Sequence, residues 1–314
     1  VTEAPLPVEP ARRRRPRLGY VMAASAATLW GINGTVSKVI LATGFSSLRL
    51  AQVRCTGAFA GLLLWLLLTS PARARVRARE LPLLAVFGIG GVAFVQWFYF
   101  LAIHRLAVGI ALLIQYLAPL FVALWARYVF HEHVRRRIWL ALALALVGLG
   151  LIVDVRHGGT ISTAGIVFSL AAALTYMLYL LLAEHGVGRR DAVSLLVWGF
   201  GFATLFWAVV SPWWDFPERL VTQRVSLLGH LGSHHAPVWT LLAWMIVPGT
   251  IFPFFLLSSA LRHLPATRVG IIAMLEPVVA TIVAWVWLAE SLSVVQLLGA
   301  AVVLGAIVLA QTAR

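Results

Sequence analysis

Glu276 stands about ten residues from either end of the apolar run 266–288, with Pro277 directly after it. A carboxylate near the middle of a bilayer costs about 2.5–3.5 kcal/mol on insertion scales, and such groups face the bundle interior rather than lipid. Glu276 is too far from either interface to reach water on its own, so it needs a partner or a proton. That chemistry suits proton coupling or recognition of a cationic amine; the plain alternative is a structural carboxyl bonded to a neighbouring helix. Pro277 removes a backbone hydrogen bond and is expected to kink the helix there. Two cations also fall within apolar runs. Lys38 lies about one turn from the outer end of its run, where it either snorkels to the interface or contacts an anion at the outer mouth. Arg54 lies about two turns into the next run and reaches the outer interface, pairs with an acid, or meets substrate; of these uses a structural one is favoured.

Seven uncharged polar groups, Asn33, Gln96, Tyr99, Gln115, Tyr116, Tyr176 and Tyr179, also interrupt apolar runs. In lipid such side chains either glue helices together or line a cavity. Tyr176 and Tyr179, three apart, share a helix face, and Trp30 beside Gly31 forms a cavity wall or simply packs. The candidate substrate-binding or coupling set is therefore Glu276, Trp30, Asn33, Tyr99, Gln115, Tyr176, Lys38 and Arg54.

Other chemistries are poorly supplied. His131-Glu132-His133 point to different helix faces beside three arginines, which argues against a metal site. His230, His234 and His235 lie in a segment read as solvated, with His230 and His234 at i, i+4 spacing, yet no nearby carboxylate or cysteine completes a zinc set. Trp213 and Trp214 in the same segment read as interfacial aromatics. No Ser/His/Asp, HExxH or paired-carboxylate arrangement occurs, and no Walker motif, so neither an enzyme, a metal, a cofactor nor ATP is expected. Gly88, Gly90, Gly91, Gly148 and Gly150 read as close-packing points between helices.

The elements that must hold these residues follow from composition. The chain has 314 residues, 61% hydrophobic and only 11% charged, with a mean hydropathy of +0.92; a soluble domain carries roughly 25% charged residues. A water-soluble enzyme and a disordered chain are both excluded. A helix needs about 20 apolar residues to cross the hydrocarbon core, and ten candidates occur, at 18–42, 46–69, 81–103, 107–130, 137–154, 162–184, 191–211, 238–261, 266–288 and 294–312. They are continuous rather than alternating, so they form helices and not a barrel. The single cysteine, Cys55, permits no internal disulfide. Arg12–Arg15 ahead of apolar residues imitate a leader, but the apolar stretch continues to about Ala42, too long for that; residues 1–17 read as a cytoplasmic basic tail before a retained first span.

The formal charge of +14 has a spatial meaning. With the N-terminus inside, 18 arginines fall in cytoplasmic segments and five in outer ones, which satisfies the positive-inside rule with both termini cytoplasmic. No basic soluble domain remains to bind nucleic acid. An internal repeat appears at an offset of 158 residues: Pro119 falls on Pro277, Glu132 on Glu290, Ala102 on Ala260, Leu106 on Leu264 and Leu140 on Leu298. The unit is five helices, and an odd number inverts the second copy, a plan that places the site near the midplane between copies. The loop His131–Arg137 is basic, whereas its counterpart Ala289–Ser293 has no cation. The expected fold is thus an all-α membrane protein with ten transmembrane helices in two inverted five-helix repeats, 18–154 and 162–312, with an outer loop at 212–237.

At this point the residues resemble a known group, the EamA-type branch of the drug/metabolite transporter superfamily. Leu29-Trp30-Gly31-Ile32-Asn33 with Lys38 five residues on is similar to that family's Trp-Gly-polar entry. Leu275-Glu276-Pro277-Val278-Val279-Ala280, Leu288-Ala289-Glu290-Ser291-Leu292 and Gln296-Leu297-Leu298-Gly299-Ala300 carry the most specific likeness. It covers about residues 18–312, with a longer outer loop 212–237 and with Ala118 where the second copy has Glu276. The resemblance implies an integral protein of the bacterial plasma membrane that exports or exchanges small metabolites such as amino acids, with membrane lipid, a small-molecule substrate and protons as its partners. It also places Trp30, Asn33 and Tyr176 near one another. A lipid-linked substrate flippase is the alternative within the same superfamily, with Lys38 or Arg54 lining a headgroup cavity. A membrane-embedded enzyme and a non-transporting scaffold are the more distant rivals.

Overall fold

The computed structural model describes residues 15–103, 105, 108–153, 162–289 and 293–312. Ten helical segments follow one another: α1 (Pro16–Leu41), α2 (Ser47–Thr69), α3 (Ala78–Ala102), α4 (Ala111–Tyr128), α5 (Arg136–Val153), α6 (Thr163–Arg189), α7 (Ala192–Val210), α8 (Val238–Ala260), α9 (Ala266–Leu288) and α10 (Val294–Thr312). Among the described residues, seven of them, α2, α3, α4, α6, α7, α8 and α9, are long and apolar enough to cross a membrane. α1 is 26 residues long but more polar, and the apolar part of α10, Val294–Ala310, is shorter. Most of the basic tail, the 154–161 connection with Arg156, the Glu290-Ser291-Leu292 motif and Arg314 lie outside the described residues.

Local chemistry sets the helix starts. Ser46 accepts a hydrogen bond from Arg49 N at 3.2 Å, Ser162 one from Gly165 N at 3.3 Å, and Asp191 bonds from Val193 N and Ser194 N. Each satisfies amide groups that the first helical turn leaves unpaired. Irregular turns occur at matching places in the two halves. α3 contains a π-helical stretch at Val86–Ala93 and α8 one at Val247–Ile251. α4 breaks at Tyr116–Leu117, ahead of Pro119, and α9 at Met274, ahead of Pro277. Proline cannot donate to the preceding turn, so the same break recurs wherever the repeat carries its proline.

The packing is exchanged between halves. α1 lies against α8 and α9, and α6 lies against α3 and α4; α2 packs on α7 and α8, and α7 on α2 and α3; α5 pairs with α10. Small residues allow these approaches. A Cβ on Gly148 would stand 2.8 Å from Gly299 O, one on Gly88 2.4 Å from Gly199 O, and one on Gly91 3.0 Å from Tyr179 Cα. Gly90 likewise faces Leu178, but Gly150 has open space beside it, so the close-packing expectation fails there. The first two helix pairs match poorly in sequence because the offset there is about a dozen residues shorter than in the last three. The extra chain is the segment 212–237.

That segment is not the solvated loop its polarity suggests. It contains a short helix (Glu218–Thr222) and an antiparallel hairpin of β1 (Arg224–Ser226) and β2 (His235–Pro237). Phe216, Leu220, Val225 and Leu227 pack against a buried cluster of Val36, Ile40, Phe45, Leu50, Val238 and Met245. Trp287 Nε1 donates to Leu227 O at 2.8 Å. The segment is a cap closing one end of the bundle, driven by burial of these apolar residues. Trp213 packs against Phe216, their ring centroids 5.3 Å apart, yet stays 40% exposed, and Trp214 is 83% exposed. His230 bonds to Val286 O at 2.9 Å and does not share a helix with His234. Among the described residues no group of three or more His, Cys, Asp or Glu is arranged to hold a metal.

At the opposite end, residues 70–80 latch onto the α6–α7 junction. The Arg190 guanidinium donates to Arg75 O and lies 3.6 Å from the Glu80 carboxylate. Ser194 Oγ donates to Arg73 O at 2.7 Å and Trp198 Nε1 to Ala74 O at 3.1 Å.

Candidate functional site

The break in α9 puts Glu276 in the first turn of the half-helix Leu275–Leu288, where the helix dipole favours a negative charge. Its Oε2 accepts a 2.7 Å hydrogen bond from the Tyr116 hydroxyl, and Tyr116 sits on the matching break in α4. A carboxylate from one half is thus held by a phenol from the other. From Tyr116 a run of rings continues. Tyr116 meets Tyr176 edge-on at 6.4 Å, Tyr176 stacks on Tyr179 at 6.2 Å, and Phe254 meets Tyr179 at 5.6 Å and Trp30 at 5.2 Å. Edge-to-face geometry is the favoured arrangement for such pairs. The Tyr179 hydroxyl is within 3.2 Å of Ser258 Oγ.

Arg54 forms the cationic side. Its Nε donates to Thr250 Oγ1 at 2.8 Å and its Nη2 to Gly249 O at 3.5 Å. Thr250 in turn donates to Met245 O at 2.8 Å, a bond that spans the π turn. Pro248 explains the turn: it supplies no N–H to the ladder, and the wider helix exposes Gly249 and Thr250 to Arg54. Arg54, Tyr99, Tyr116 and Tyr176 all lie within Coulombic reach of Glu276, and Tyr99 lies within reach of Arg54 too. Arg54 and Glu276 do not touch. Arg54, Tyr99 and Glu276 are each only half-buried.

The structure brings together Glu276, Arg54, Tyr99 and Tyr176 from the sequence-derived set. Trp30 reaches Tyr176 only through Phe254 and Tyr179. Asn33 packs against Gly249, where an added Cβ would lie 2.3 Å from its Oδ1, and that oxygen is buried without a partner. Gln115 precedes Tyr116 and its Oε1 is likewise buried and unpartnered. Lys38 is exposed in the last turn of α1, beside the cap and apart from the cluster, the position of a snorkelling side chain. Arg54 does not reach an interface; Arg49, one turn earlier, takes that role through Gln52 Oε1, Ser211 O and Pro212 O at 3.0, 3.1 and 2.6 Å. Gln96 is glue, donating to Val92 O and Cys55 Sγ.

Sequence reasoning left Tyr116 outside the candidate set and missed Thr250, Phe254 and Ser258. Tyr116 stands three residues before Pro119, and Thr250 two after Pro248; the rule that broken helices carry transporter sites points to both. Two apolar grooves lie elsewhere. One of about 360 Å³ is lined by Phe59, Leu63, Val197, Trp198 and Phe202, and one of about 380 Å³ by Val53, Trp213, Phe216, Trp239 and Leu242.

Known proteins agree with this architecture. A relative from Salmonella typhimurium named probable amino-acid metabolite efflux pump is 25% identical over 291 residues, 90% of this chain and 91% of that one. The threonine/homoserine exporter RhtA of Escherichia coli is 25% identical over 285 residues, 86% and 80% of the two chains. An uncharacterized transporter of Archaeoglobus fulgidus is 27% identical over 232 residues, 74% and 76% of the two chains. A crystal structure superposes with a TM-score of 0.75 at 18% identity, covering 93% of this chain and 96% of that one, a likeness of fold. The EamA-like transporter family matches residues 17–154 and 163–312, which is nearly the whole chain in two copies. This integral membrane protein belongs to the EamA-like transporter family.

Proposed function

We propose that the chain is a secondary transporter that exports small metabolites, amino acids or related compounds, across a bacterial plasma membrane. Its ten helices form two inverted halves, 18–154 and 162–312, with both termini cytoplasmic and the 212–237 cap outside. The halves rock against each other around the cluster of Glu276 and Arg54, giving alternating access. The observation that carries this reading is the Tyr116–Glu276 hydrogen bond at 2.7 Å. It joins an acidic group of one half to the other half, and on this reading a proton or a substrate amine competes for that group. Two relatives named for amino-acid efflux support the substrate class. Tyr99 and Tyr176 join Glu276 and Arg54 at the site, and Glu276 couples transport to protons.

The test is metabolite efflux from cells expressing the chain, measured across pH, with Glu276→Gln as the comparison. Loss or uncoupling of efflux in the variant is expected; unchanged, still pH-dependent efflux overturns the role of Glu276. The flippase alternative places Lys38 or Arg54 at a lipid headgroup. The inward bonds of Arg54 and the peripheral position of Lys38 favour the soluble-metabolite reading.

A further inference from the structure

We infer that Arg54 and Glu276 read the two ends of a zwitterion: the substrate's carboxylate docks on Arg54 and its ammonium on Glu276. The inference rests on the transport reading above and fixes the orientation and chemical class of what is carried.

The two groups have opposite charge, lie within Coulombic reach of each other, and yet form no bridge. Each is held from behind by neutral groups. Thr250 Oγ1 and Gly249 O take Nε and Nη2 of Arg54, and the Tyr116 hydroxyl takes Oε2 of Glu276. These bonds leave one atom of each group unused. Nη1 of Arg54 and Oε1 of Glu276 have no partner among the described residues, and neither is sealed off, since both retain accessible surface. A purely structural ion pair would close this gap, because enclosed charges gain most from direct contact. Unbridged, the pair is dipolar: a guanidinium N–H on α2 and a carboxylate oxygen on α9 that a ligand's two charges can satisfy together.

A compound bearing both a carboxylate and an ammonium satisfies both atoms and adds no net charge to the site. A cation alone leaves Arg54 unpaired, and an anion alone leaves Glu276 unpaired; each carries the desolvation cost of an unsatisfied charged group. The hydroxyls of Tyr99 and Tyr176 share this neighbourhood.

The experiment is counterflow in proteoliposomes containing the full chain. Three mixtures are offered: the standard amino acids, their methyl esters, and their N-acetyl derivatives, with carried compounds read by mass spectrometry. Lipophilic cations and neutral nucleosides form a fourth panel. At least one amino acid should be carried, and its ester and N-acetyl derivative should compete about 10- to 100-fold more weakly. Arg54→Gln should abolish discrimination against the ester, and Glu276→Gln discrimination against the N-acetyl compound. The wild-type panel is decisive by itself if a variant does not fold, and Arg54→Lys keeps the charge as a second check. An ester or N-acetyl derivative carried as well as its parent overturns the zwitterion assignment and leaves transport standing. Flux confined to the fourth panel does the same. No flux in any panel overturns both.

Discussion

Replacing Tyr116 with Phe deletes one hydroxyl and nothing else. The ring, its edge-on contact with Tyr176 at 6.4 Å and its 3% exposure can all remain. What is lost is the 2.7 Å bond to Glu276 Oε2, the shortest bond the structure shows between the two members of the matching breaks in α4 and α9. A hydrogen bond to a charged group contributes about 1.5–3 kcal/mol, whereas an ordinary interhelical polar contact within a membrane averages about 0.6 kcal/mol. The pair should therefore show a coupling of about 1.5 kcal/mol or more in a cycle of Tyr116→Phe, Glu276→Gln and the double variant. The assay is unfolding of the purified protein in detergent, with the four proteins compared under one condition. Because the bond joins the two halves, its loss should also shift the balance between inward- and outward-open states roughly tenfold, read by spin-label distances across the 212–237 cap end. A coupling at or below about 0.6 kcal/mol, with unchanged distance distributions, would falsify the view that this bond ties the halves together.

Three further outcomes follow from the packing. Gly148→Val places a side chain against Gly299 O and the backbone N of Val303, both within 2.9 Å of the first new atom; backbone cannot give way, so destabilisation of about 1–3 kcal/mol is expected, and Gly150→Val, with open space beside it, serves as the neutral control in the same melt. Gly229→Ala puts a Cβ 2.2 Å from Trp287 O at a residue with φ +50°, so the cap should become far more sensitive to protease between residues 224 and 237, and an unaltered cleavage pattern would contradict the packed cap. His263, at the turn between α8 and α9, accepts Arg15 N–H at 3.4 Å; partial burial and the nearby Arg262 and Arg15 hold it below the usual histidine range. Its neutral form is the one the fold prefers, so stability should fall as pH drops through the ordinary histidine range, and His263→Gln should flatten that dependence.

The helical frame was legible in the sequence because it is governed by local, one-dimensional physics. Long apolar runs must bond their own backbone in lipid, so the ten segments fall within a few residues of their expected bounds, except that α6 runs on to Arg189. Pro119 and Pro277 announced the paired breaks for the same reason. Glu276 stood out because a carboxylate in an apolar run is rare and costly. The cap was misread because its residues are spaced without strict periodicity. Phe216, Leu220, Val225 and Leu227 look unremarkable singly and become a packed surface only when Val36, Ile40 and Val238 meet them.

Partnership was the part no run of residues could state. Tyr116 and Glu276 are 160 positions apart, and Arg54 and Thr250 are 196 apart; each bond depends on how helices of one half seat against the other. The sequence by itself determined a helical membrane protein, the positions of its helices, its duplication and the presence of one interior carboxylate, since these follow from hydropathy, proline and charge along the chain. The tertiary structure alone decided that Arg54 turns inward to a π turn of α8, that Lys38 stays at the edge, and that Glu276 meets a phenol and not a cation. Those outcomes rest on close helix contacts at Gly31, Gly88 and Gly148, where sub-ångström fit and not composition selects which side chains share a space.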